Sequence, residues 1–84
     1  MTINEHHSAI HSKEDFVRFV KALLKDLHEN ADSWENNSLE RFLEALSAWT
    51  EDMDGYYLNQ DKSVPQQPDW KMLGDMLMAS RMYE

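Results

Sequence analysis

Ser12–Asn30 reads SKEDFVRFVKALLKDLHEN, and its spacing decides the fold class. Phe16, Phe19, Val20, Leu23, Leu24 and Leu27 recur every three or four residues, with Val17 at the flank. That is the period of an amphipathic α-helix. Ser12 suits the N-cap, and Glu14 and Asp15 fall in the first turn, where the helix dipole favours acids. The spacing predicts a first helix over 13–30. Glu14–Arg18 and Lys25–Glu29 are candidate i,i+4 pairs on its outer side. His28 falls in the last turn, where a cation suits the dipole.

The same period returns twice. Leu39, Phe42, Leu43, Leu46, Trp49 and Met53 predict a second helix over 38–54. The connection 31–37 (ADSWENN) precedes it. Asn37 with Glu40 resembles a capping box, Trp34 is expected under the turn, and Gly55 is the expected C-cap. Trp70, Leu73, Met76, Leu77 and Tyr83, after an Asp69 cap, predict a third helix over 70–83, with Met72, Ala79 and Met82 near its buried side. Gly74 inside that helix is a candidate close contact. Between them, 55–68 (GYYLNQDKSVPQQP) is a long connection, of the kind that is often functional. No segment alternates like a strand. An all-α, small antiparallel three-helix bundle buries three stripes most simply. Residues 1–11 show no periodicity and are expected to be a disordered tail, leaving 12–84 as a single helical domain.

Eighty-four residues make one small domain, whose core needs its three Trp, three Tyr, three Phe and six Met. There is no Cys, hence no disulfide framework and no thiolate metal site. No apolar run of about 20 residues exists, and the N-terminus lacks the apolar centre of a signal peptide, so a soluble cytoplasmic protein with no membrane contact is expected.

The charge is concentrated. The formal net charge is −8. Between Asp32 and Asp61 stand eight acids (Asp32, Glu35, Glu40, Glu44, Glu51, Asp52, Asp54, Asp61) and one base, Arg41. Such a field steers basic partners and repels nucleic acid.

Chemistry is not legible beside it. His7 and His11 stand at i,i+4 but in the aperiodic segment, with His6 and Glu5 beside them. Counting an EF-hand loop from Asp52 puts Gly55 fourth and Ser63 twelfth, where the loop needs Gly sixth and Glu twelfth. Only Gly55 and Gly74 exist, so there is no phosphate-cradling loop. No strained-turn nucleophile motif surrounds any serine. Lys62-x-x-Pro65-x-x-Pro68 has the form of a short SH3 ligand but suits a stiffened loop as well. No enzyme and no cofactor are expected.

Phe16…Leu23, Trp34-Glu35-Asn36, Leu39-x-x-Phe42-Leu43-x-Ala45, Trp49, Asp52-Met53-x-Gly55-Tyr56-Tyr57 and Trp70…Leu73…Leu77…Ala79…Tyr83-Glu84 together resemble a family of small acidic bacterial proteins catalogued as a domain of unknown function. The resemblance covers about 70 residues, from Ser12 onward, and implies no known enzyme, cofactor or catalytic residue. In size and charge such proteins look like immunity partners of secreted toxins.

The expected function is therefore an immunity- or antitoxin-like binding protein. Glu40, Glu44, Glu51 and Asp54, with Asp52 and Asp61 nearby, would cover a basic site on a partner such as a nuclease toxin. Tyr56 and Tyr57 would be aromatic anchors at the rim. The alternative is a small regulatory or self-associating helical adaptor, a homodimer included, with Trp34, Trp70 and Met72 exposed and used.

Overall fold

In the computed structural model, which describes residues 1–64 and 66–83, the chain is all-helical. The helices are α1 (Ile3–Ser8), α2 (Lys13–Asn30), α3 (Leu39–Leu58) and α4 (Trp70–Ser80), with a 3-10 turn at Ala31–Ser33. There are thus four helices among the described residues, where periodicity predicts three. The Pro65 of the loop motif and the terminal Glu84 lie outside the described residues.

α2 has the predicted bounds, and the Ser12 side chain caps it by accepting from the Asp15 N–H. Arg18 pairs with Asp15 at 2.6 Å, not in the expected register with Glu14. α3 starts as predicted but is capped by Ser38, which accepts from the Arg41 N–H, and not by Asn37. The Asn37 amide instead donates to the Ala31 carbonyl.

The far end of α3 differs more. Gly55 does not end the helix, which continues to Leu58. The terminator is Asp61, in the left-handed region at φ 55°. The Asp61 N–H donates to the Leu58 carbonyl and the Lys62 N–H to the Tyr57 carbonyl, the paired bonds of a Schellman motif. Glycine normally fills that position, so the sequence signal was read six residues early.

Asp69 caps α4 as predicted, accepting from the Met72 N–H at 2.7 Å. α4 stops at Ser80, three residues short of the expected end. It is the shared neighbour: it packs on α1, α2 and α3, and α1 also packs on α2. A helix with three neighbours has no free polar side, which explains why Met72, Gly74, Asp75 and Ser80 are all buried. The main apolar cluster joins Ile10, Phe19, Leu23 and Trp34, with Phe16, Leu27, Phe42 and Leu77 against it.

The first eleven residues, expected to be a loose tail, carry structure. Thr2 and Glu5 form a reciprocal capping box that starts α1. Ile10 is only 1% exposed. It lies over Gly74, where a Cβ would collide with the Ile10 Cδ1. The glycine in α4 is therefore a close-approach position, as its mid-helix placement suggests, and the neighbour it admits is the end of the N-terminal segment.

The turn after α2 is a clamp. The Trp34 indole N–H donates to Asp26 at 2.6 Å, its ring stacks on Phe42, and the Arg81 guanidinium lies 5.8 Å from the ring centroid. Asn36 donates its amide to the carbonyls of Ser80 and Tyr83, and its backbone N–H to that of Arg81. Asn36 thereby satisfies orphan carbonyls at the end of α4, and Trp34, bonded to Asp26 and under Arg81, ties that end to α2. No described helix is long and apolar enough to cross a membrane.

Candidate functional site

α3 carries the acidic surface. At about 100° per residue, Glu40, Glu44, Ser47, Glu51 and Asp54 fall on one ridge, and all five are exposed. Among the described residues none of these four acids forms an ion pair. Arg41 turns away from the ridge and lines a shallow cleft with Glu35, Asn36, Glu44, Ala45, Ala48 and Tyr83.

Only the first member of this ridge suits the helix that carries it: Glu40 lies in the first turn, where the dipole favours an acid. Glu40 and Glu44 are an i,i+4 pair of like charge, which costs a few tenths of a kcal/mol. Asp54 and Asp61 sit at the negative end of the α3 dipole, where no base falls in the last turn. Helix stability therefore does not explain the placement of Glu51 and Asp54.

The other expected site residues divide. Asp52 is exposed but leaves the ridge: it accepts from the Tyr83 hydroxyl, tying α3 to the segment after α4. That bond raises the Tyr83 pKa above its ordinary value, with a smaller push from desolvation. Asp61 is exposed in the Schellman turn beyond the helix. Tyr56 is half-buried, edge-on to Trp49 at 5.2 Å between centroids. Tyr57 is buried, so it cannot serve as a rim anchor. Its ring is needed inside, and its hydroxyl donates to Asp75 at 2.8 Å. Of the residues offered for the alternative aromatic surface, Trp34 and Met72 are buried. Trp70 is partly exposed but lies against Phe16, 5.5 Å between centroids.

Asp75 organises a polar cluster that sequence reasoning missed. It is 7% exposed. Its Oδ1 lies 2.7 Å from His7 Nε2 and 2.7 Å from Lys71 Nζ, and its Oδ2 accepts from Tyr57. Burial alone would push this carboxyl up. The hydrogen bonds from His7, Lys71 and Tyr57 outweigh it and hold the pKa down at about 2. The same arrangement raises the Tyr57 phenol well above its usual value, burial first and the carboxylate second. Three donors from α1, α3 and α4 meet at one carboxylate, so the cluster fastens those helices together. The sequence signal was slight: Asp75 follows the mid-helix Gly74 and reads as an ordinary polar-face residue.

The N-terminal histidines do not act as a pair. His7 turns into Asp75, while His11 is exposed and gives only its backbone N–H to Asp15.

An open cleft of about 470 Å³ lies between α2 and the start of α3. Val20, Leu23, Leu24, Leu27, Trp34, Leu39, Phe42 and Leu77 line it. Its outer residues are unusually bare: Leu39 is 74% exposed and Leu24 54%.

Searches of curated proteins and of solved structures find no match to the chain. A family model does match, over residues 12–84, which includes α2, α3, α4 and the clamp at the turn after α2 but not α1. The distinctive elements within that span have physical tasks: Trp34 and Asn36 hold the end of α4, and Asp52 holds Tyr83. The chain belongs to DUF7660, a family of unknown function.

Proposed function

We propose that this chain is a non-enzymatic protein-binding module of the immunity or antitoxin kind, acting in the cytoplasm. The acidic ridge of α3 covers a basic site on a partner, and a nuclease toxin is the partner chemistry that fits best. Glu40, Glu44, Glu51 and Asp54 would occupy the positions that phosphates take on such a site. Inhibition would then be occlusion, with no step of bond chemistry on this chain.

One observation carries this reading: the ridge acids are exposed and without ion-pair partners among the described residues, and the ridge runs on to Asp54 at the end of α3 where the dipole disfavours an acid. Departures from local preference are expected where a surface serves something other than the fold. Solubility alone asks for dispersed charge.

The test is capture from a lysate of the source cells with two baits, the native chain and Glu44→Lys/Glu51→Lys, at low and high salt. The native bait should retain a basic protein that is lost in high salt and on charge reversal. Retention of the same partner by the reversed bait would remove the ridge from the function.

A further inference from the structure

We infer that the apolar cleft between α2 and the start of α3 is a docking surface for a second copy of this chain. The cleft is lined almost wholly by aliphatic and aromatic side chains. Leu39, Leu24, Leu43, Val17 and Val20 are all exposed at or beside it. Single exposed apolar residues need no explanation, but a contiguous strip on two helices does.

The lips of the cleft identify the occupant. On α2, the surface beyond Val20 and Leu24 continues at helical spacing into Lys21, Lys25 and His28, with Glu14 the one acid among them. On α3, the surface beyond Leu39 and Leu43 continues into Glu40 and Glu44. The two lips therefore have opposite sign. A uniformly basic partner would match the α3 lip and be repelled by the α2 lip. A uniformly acidic one would meet the reverse. The matching surface must carry apolar residues flanked by a basic helix on one side and an acidic helix on the other. A copy of this chain turned by a two-fold axis presents that surface, with its α3 facing α2 and its α2 facing α3. Glu40 and Glu44 are shared with the acidic ridge proposed above, whereas Leu24 belongs to the dimer alone and Glu51 and Asp54, further along α3, to the basic partner alone, so the two readings can fail separately at those residues.

The experiment is the solution mass of the purified chain by sedimentation equilibrium, with helicity followed in parallel by circular dichroism. The native chain should form a dimer. Leu24→Glu should be a folded monomer, because the side chain is more than half exposed and its replacement leaves the core intact. Charge then tests the pairing. Lys21→Glu/Lys25→Glu and Glu40→Lys/Glu44→Lys should each lose most dimer when alone. Mixed in equal amounts they should form a heterodimer, since every acidic lip then faces a basic one. A native chain that stays monomeric at concentrations up to about 1 mM overturns the inference. So does a dimer that survives Leu24→Glu, or a charge-reversed pair that fails to restore dimer on mixing. Because Glu44 is shared, Leu24→Glu and Glu51→Lys/Asp54→Lys separate the two readings: the first should lose the dimer and keep the basic partner, and the second should do the reverse.

Discussion

The same substitution should have opposite effects at the two glycines. Each lies inside a helix, where replacing Gly by Ala is worth about 1 kcal/mol from backbone propensity. At Gly55 a Cβ would meet nothing within 4 Å. Gly55→Ala should therefore stabilise the protein by about 1 kcal/mol. At Gly74 the new methyl would collide with Ile10 Cδ1. Ile10 is buried and cannot simply swing outward. Overpacking of this kind costs about 1–3 kcal/mol, and unseating Ile10 altogether forfeits a similar amount of burial. Set against the propensity gain, Gly74→Ala should destabilise by about 1 kcal/mol. The cause can be isolated with Ile10→Ala, itself costing about 2–4 kcal/mol. In that background the obstructing atom is gone, so Gly74→Ala should become stabilising by about 1 kcal/mol. The coupling energy between positions 10 and 74 is then about 2 kcal/mol, large enough for a double-mutant cycle. Urea unfolding followed by far-ultraviolet circular dichroism measures it. With a slope of about 1 kcal/mol per molar for so small a domain, each kcal/mol moves the midpoint by about 1 M. Equal midpoint shifts for Gly55→Ala and Gly74→Ala, unaffected by residue 10, would refute the seating of the N-terminal segment over α4.

Three further outcomes follow from the contacts. Asp75 has its folded-state pKa depressed to about 2 from an ordinary 3.8, so its contribution is full above about pH 4 and is lost as pH falls through 2. That contribution is about 2 kcal/mol; in Asp75→Asn, unfolding free energy measured between pH 5 and 2 should lose that component of its acid dependence. Glu44→Lys should leave the fold intact and its stability within a few tenths of a kcal/mol, because the gain at the i,i+4 pair with Glu40 is offset by a new i,i+3 repulsion with Arg41; thermal unfolding at low ionic strength reads the balance. Asp61→Gly should raise stability by about 1 kcal/mol, since Asp61 holds φ 55° at a position that glycine fills without strain, and an unchanged or lowered urea midpoint would contradict the Schellman assignment.

What was legible in the chain was its local periodicity. α2 is amphipathic over its whole length, begins at a serine cap and ends near Asn30, and each of those signals lies within the helix itself. The start of α3 and the Asp69 cap of α4 were legible for the same reason. The misreadings share a different cause, which is that tertiary neighbours decided them. Gly55 looks like a terminator, but α3 continues because Tyr56 and Tyr57 pack edge-on with Trp49 and Tyr57 reaches Asp75. Ile10 sits in a polar, aperiodic stretch, and only the glycine on α4, more than sixty residues away, gives it a seat. Asp75 and Ser80 look solvent-facing until α4 is found among three other helices.

The candidate surface was read more successfully where it is local. Glu40, Glu44, Glu51 and Asp54 fall on one exposed ridge because helical spacing alone puts them there. Tyr57 and Asp52 stand near them in sequence, but hydroxyl–carboxylate bonds join Tyr57 to α4 and Asp52 to the segment after α4. The apolar cleft lay hidden in the stripes themselves. Val20, Leu24, Leu39 and Leu43 count as core by their period, yet the bundle leaves them exposed.

The most direct test of the acidic ridge is the association rate between this chain and the basic partner it captures, measured across ionic strength for the native chain, Glu44→Lys/Glu51→Lys and Leu24→Glu. Docking through the ridge predicts a native rate that falls steeply with salt, a charge-reversed rate that is slow and nearly flat, and a Leu24→Glu rate at least as fast as native, since the dimer contact no longer covers Glu40 and Glu44. A charge-reversed variant that associates as fast as the native chain, with the same salt dependence, would contradict it.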